Sequence, residues 1–177
     1  MPTSKPPASE RVVDAFRKLA ASSKNLNQAV DEWKCYIAAL NAALKKIDVG
    51  VPAWHVIAQN QEDNLDWWTR EIGYTKIKDE WCIALRRMWG NLSHPDGDNE
   101  EIWRFEDAPR WVMVEAGGKI ADLLETLVKR TDETTAKVNK RATETAEFAT
   151  ALAAEFGEPT GWIDTAIAAA NTMAVSK

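Results

Sequence analysis

Cysteine, histidine and long apolar runs are all scarce in this chain. Cys35 and Cys82, with His55 and His94, are its only residues of those two kinds among 177. Two thiols are too few for a disulfide scaffold, so reduced cysteines in a cytoplasmic setting are expected. A zinc site needs three or four converging Cys or His ligands, and these four are widely scattered. The expectation is therefore no metal and no cofactor. No apolar run approaches the ~20 residues of a membrane-spanning helix. Residues 1–9 are rich in Pro and Ser and have none of the apolar stretch of a secretory signal. Residues 1–8 read as a disordered tail.

Signatures of catalysis are missing as well. There is no Gly-rich phosphate loop and no G-x-S-x-G elbow, so the reading leans against an enzyme. Neighbouring carboxylates such as Asp63/Asp66 or Glu100/Glu101 arise by chance on an acidic surface. The cluster His94, Asp96, Asp98, Glu100 and Glu101 lacks the ligand spacing of a calcium loop and reads as a solvated turn.

Basic charge is in short supply where it would matter for nucleic acid. The net charge is -5. Residues 49–106 hold 6 basic and 11 acidic residues, whereas residues 9–48 hold 7 basic and 5 acidic. A grip on phosphates needs a basic surface, so no nucleic-acid partner is expected, and no membrane either.

What is abundant is apolar periodicity. Val12, Phe16, Leu19, Ser23, Leu26, Val30, Trp33, Ile37, Leu40, Leu44 and Ile47 alternate steps of four and three, a heptad seam with one polar member. A helix over residues 9–48 follows, with Ser9 as N-cap, Lys45 and Lys46 in the last turn, and Gly50 and Pro52 as the stop. The weak helix formers of residues 22–25 mark a possible break. A second seam runs through Ile120, Leu124, Leu127, Thr131, Thr134, Val138, Ala142, Thr145, Ala149, Leu152 and Phe156. It implies a helix over residues 107–156, begun at Pro109, ended by Gly157, and open to a kink at Gly117-Gly118. Its middle is Thr and Ala and packs thinly.

Between the two helices the period changes to two. Residues 53–58, 65–77, 81–89 and 101–105 alternate and are rich in Trp, Ile, Val and Tyr. Asp79 and Glu80 are the residues expected to turn between the second and third strands. Strands joined by short loops form an antiparallel meander. The fold class is α+β: two long helices paired antiparallel as a coiled-coil-like stalk, flanking a four-stranded antiparallel meander over residues 50–106. The helix–meander–helix body, residues 9–156, forms one domain, followed by a short C-terminal helix over residues 157–177.

The chain carries nine tryptophans, seven of them from Trp54 to Trp111. Trp81, Ile83, Leu85 and Trp89 share one strand face and belong to the core, with Arg87 at its margin. Trp67 and Trp68 are strand neighbours and must point to opposite faces. Trp68, Tyr74 and Trp103 are then the candidates for an exposed aromatic face that meets a protein partner. Arg70, Lys76 and Arg86 form the alternative, a basic-aromatic patch for a small anionic ligand. The expected function is a non-enzymatic interaction or assembly protein, acting on a protein partner or by self-association.

Overall fold

In the computed structural model the described residues are 7–61, 65–94, 97–155, Gly161 and Thr165. The chain divides into two compact units, Met1–Leu127 and Val128–Lys177.

The first unit opens with helix α1, Ala8–Lys46. Its apolar heptads and lack of Gly or Pro carry it unbroken through residues 22–25, for about 58 Å at 1.5 Å per residue. Pro7, not Ser9, occupies the N-cap position, and no side chain caps the helix there. Lys45 and Lys46 do fall in the last turn, as the negative end of the helix favours.

Four strands follow as an antiparallel meander in the order β1-β2-β3-β4: Ala53–Gln61, Asp66–Ile77, Glu80–Asn91 and Asn99–Arg104. The β2–β3 hairpin turns on Lys78 and Asp79, one residue earlier than the sequence suggests. Both have positive φ, 49° and 66°, which fits the backbone twist of a two-residue hairpin loop. Glu80 is thereby released into β3, opposite Ile77. β1 carries a bulge between Val56 and Ala58.

A 3-10 turn, Phe105–Asp107, leads into α2, Arg110–Gly117, and then α3, Ile120–Glu155. The expected single helix over residues 107–156 is thus two helices. Gly117-Gly118 interrupts it because glycine stabilises helical backbone poorly, and Pro109 stands at the N-cap of α2. Gly117 also has a packing role. A Cβ there would come within 2.6 Å of the Trp33 ring. That ring meets Phe105 edge-on at a centroid distance of 5.2 Å.

Directly paired strand residues point to the same side of a sheet, so the register assigns the two faces. One face carries Ile72, Tyr74, Ile83 and Leu85 into a core completed by Val30, Ile37 and Leu44 of α1, Val112, Met113 and Ala116 of α2, and Leu123 and Leu127 of α3. The three α1 residues are seven apart, so this helix buries a single narrow stripe. Asn41 adds a polar anchor by accepting the Ile83 N–H at 2.7 Å, where β3 runs beyond its pairing with β4. His55 of β1 reaches α3, with Nδ1 3.2 Å from Thr126 Oγ1 and Nε2 3.4 Å from Asp122.

In the second unit α3 holds ion pairs between Arg130 and Glu133 and between Arg141 and Glu144. The seam hydroxyls of Thr134 and Thr145 donate to the carbonyls of Arg130 and Arg141, so these polar seam positions satisfy themselves within the helix. Val138, Phe148 and Leu152 are exposed, and Ala153 is buried. The expected tail, residues 1–8, and C-terminal helix, residues 157–177, lie largely outside the described residues. Of the latter, Gly161 and Thr165 are helical. Among the described residues no helix is long and apolar enough to cross a membrane.

Candidate functional site

The sheet has a helix-covered face and an outer face, and the sequence-selected residues divide between them. Trp68, Arg70, Tyr74, Lys76 and Trp103 are all on the helix-covered side. Tyr74 is only 1% exposed and stacks on Trp81 at 5.3 Å. The expectation that it faces a partner is therefore corrected: the alternation that carries Ile72 inward carries Tyr74 with it. Burial, then the nearby charges of Cys82 and Asp48, raises its phenol above the ordinary tyrosine range. Trp68 and Trp103 are half-buried, and Trp103 packs against the core.

The expected basic patch is not assembled. Arg70 pairs across the sheet with Arg87, while Arg86 pairs with Glu71 and faces the other way. Arg70 lies over the Trp68 ring at 4.2 Å and near Trp111 at 5.1 Å. Its Nε is 3.1 Å from the Glu115 carboxylate, within ion-pairing range though not aligned for a hydrogen bond. Lys76 sits at the hairpin end beside Asp79, at 3.8 Å. Two of the three cations thus have their own carboxylates on one face, and the third is on the opposite face.

The outer face is built from Trp54, Val56 and Gln59 of β1, Trp67, Thr69, Glu71 and Gly73 of β2, Cys82, Ala84 and Arg86 of β3, and Glu100 of β4. Its middle is closed by a small-residue pair, Gly73 and Ala84, with Trp54 over Gly73. The Arg86 guanidinium stacks on the Trp54 ring at 4.2 Å. Its Nε donates to Glu71 Oε2 at 2.8 Å, a terminal nitrogen donates to the same oxygen, and the other terminal nitrogen donates to Glu100 at 3.2 Å. Glu71 is 9% exposed, the one buried charged side chain among the described residues. A buried carboxylate needs such a partner, since an unpaired one would be strongly destabilising.

Beside this network lies a groove of about 480 Å³, lined by Val56, Gln59, Trp67, Thr69, Glu71 and Leu92 among others. The Thr69 hydroxyl oxygen is buried there without a hydrogen-bond partner. Cys82, also on this face, is buried, and burial raises its thiol above the ordinary range. Among the described residues no three His, Cys, Asp or Glu side chains come together as a metal site.

No protein-family model matches this chain, and neither a curated protein nor a solved structure matches it.

Sequence reasoning overlooked Trp67, Thr69 and Glu71. Their signal was present in the alternation that separates them from Trp68 and Arg70. A hairpin centred on Lys78 and Asp79 also sets Glu71 opposite Arg86, an oppositely charged cross-strand pair.

Proposed function

We propose that this chain is a non-enzymatic assembly protein that associates with itself through the first half of α1. One observation carries this reading. Val12, Phe16, Leu19 and Leu26 continue the seam of α1, yet Phe16 is 69% and Leu19 63% exposed. Contiguous exposed apolar surface of this kind marks an interaction site.

The flanking positions favour a second copy of the same helix. Ala8, Ala15, Ser22 and Ala29 lie on one side of the seam, and Val13, Ala20 and Asn27 on the other. None is charged, so identical helices meet there without like-charge repulsion, and the small side chains permit close approach. Each large apolar residue buried adds about 1.5–3 kcal/mol relative to exposure. Antiparallel pairing of the long helices as a coiled-coil stalk belongs to this proposal, as does a reducing cytoplasmic setting for Cys35 and Cys82. Trp68 and Trp103 remain candidate contacts for a protein partner at the sheet.

The test is the molar mass of the full chain by light scattering during size-exclusion chromatography, with Leu19→Asp alongside. The wild type is expected to be at least dimeric at micromolar concentration. The variant is expected to be monomeric with unchanged circular dichroism. A wild type that is monomeric at every concentration refutes the assembly reading.

A further inference from the structure

We propose that the groove on the outer sheet face binds a cationic side chain, a guanidinium or ammonium group on an apolar stem, presented by a protein partner. Charge is the first argument. Glu71 and Glu100 share one cation, Arg86, so this cluster keeps a net negative charge. Among the described residues both Arg86 bonds to Glu71 fall on Oε2 and none falls on Oε1, which leaves Oε1 for another donor. The Arg86 guanidinium is held between these carboxylates and the Trp54 ring, so it is not free to neutralise the groove further.

The second argument is the pairing of tryptophans across this unit. Arg70 lies over Trp68 and near Trp111, Arg86 over Trp54, and Arg87 over Trp89 at 4.7 Å. Trp81 stacks on Tyr74, and Trp103 packs against the core. Among the described residues, Trp67 alone of the sheet tryptophans has no such cation, ring or core partner. It lies across Gly90, where a Cβ would come within 3.1 Å of its Nε1. A cation placed over a Trp face is favoured by the ring quadrupole, more so when desolvated.

The remaining lining fits the rest of such a side chain. Val56 and Leu92 are exposed apolar residues suited to flank an aliphatic stem. The unpartnered Thr69 hydroxyl is an acceptor for one more N–H. The volume lies within the range of small-ligand sites, about 300–1,000 Å³. A stem and a charged head satisfy both halves of the groove, whereas a bare ion would leave the apolar rim exposed. The source in a protein partner rests on the interaction reading above. The groove itself is separate from the α1 seam, so a monomeric chain would leave its binding test intact.

The test uses the full chain, with the Trp67 indole N–H resonance assigned by its loss in Trp67→Phe. N-acetyl-arginine methylamide is titrated against its neutral isostere, N-acetyl-citrulline methylamide, and against guanidinium chloride. The expected result is a saturable shift of the Trp67 resonance with the arginine derivative. Both other probes should bind at least tenfold more weakly. Gln59 is exposed on the edge strand, so Gln59→Lys and Gln59→Glu alter groove charge without touching Arg86. The first should weaken binding at least tenfold, and the second should tighten it. Equal binding of the citrulline derivative, indifference to Gln59→Lys, or no saturable shift would overturn the proposal. Guanidinium chloride binding as well as the arginine derivative would overturn its assignment to a side chain.

Discussion

The Trp54 ring lies directly over Gly73, its cross-strand partner, so closely that a Cβ on Gly73 would stand 2.2 Å from the ring. The same Cβ would be 2.7 Å from the carbonyl oxygen of Ala53, a backbone atom that cannot swing aside. Trp54 in turn supports Arg86, which holds Glu71 and Glu100. One glycine thereby sets the height of the whole outer-face network.

Gly73→Ala should accordingly displace Trp54 and cost about 1–3 kcal/mol, the usual range for overpacking a tight site. Chemical denaturation measures the loss. The same variant should alter the groove, because Arg86 loses its platform. Unchanged stability together with an unchanged Trp fluorescence spectrum would show that Trp54 does not rest there.

Acid should weaken the contacts that tie α1 and β4 to the hairpin. Glu80 accepts from Arg104 at 2.8 Å and Lys45 at 3.3 Å, and these bonds lower its pKa. Asp122 is lowered likewise, chiefly by its bond from Lys119. A carboxylate depressed in the folded state stabilises above its unfolded pKa, and that stabilisation is lost as pH falls through the folded value. Stability should thus drop below about pH 4, near ordinary carboxylate values. Glu80→Gln should show a shallower decline, measured by urea denaturation from pH 3 to 7. An identical slope in the variant would remove Glu80 from the account.

Alkali should act through Tyr74 and Cys82. Burial raises both above their ordinary values. A raised pKa means that the folded state holds the proton longer than the unfolded chain does. The stabilisation is complete below the unfolded pKa and is lost as pH rises through the folded one. Melting temperature should therefore fall from about pH 9 upward, where free thiols and phenols begin to ionise. Tyr74→Phe should flatten the upper part of that fall. The same slope in the variant would show that Tyr74 does not contribute.

The two thiols should also separate by reactivity. Cys35 is exposed on α1, whereas Cys82 is buried and its thiol disfavours ionisation. Thiolate is the reacting form. Ellman's reagent should label one thiol per native chain quickly, and the second only in denaturant. Rapid labelling of both in the native protein would contradict the packing of Cys82.

Much of the architecture is legible in the sequence. The seam from Val12 to Ile47 specified one long helix, because heptad spacing gathers apolar residues on one side of a 3.6-residue turn. Alternation in residues 53–105 specified strands, and the short loops between them specified a meander. These are local properties, written within one or two turns of chain. Trp81, Ile83 and Leu85 were assignable to one face for the same reason.

Other features needed the fold. That the Trp33 ring, over 80 positions earlier in sequence, packs where Gly117 lacks a Cβ is a contact between distant parts of the chain. The hairpin position depended on which residues accept positive φ, a difference of one residue at Lys78–Asp79. Alternation alone separates Arg70 from Arg86. That Arg86 joins Glu71, Glu100 and Trp54 needs the register of three strand pairs at once. The sequence by itself determined that α1 is helical and carries an apolar seam, broken only at Ser23, along its length. Only the tertiary structure decided that Val30, Ile37 and Leu44 are covered while Phe16 and Leu19 are not. Periodicity says which side chains share a face, but burial depends on what another part of the chain brings against that face.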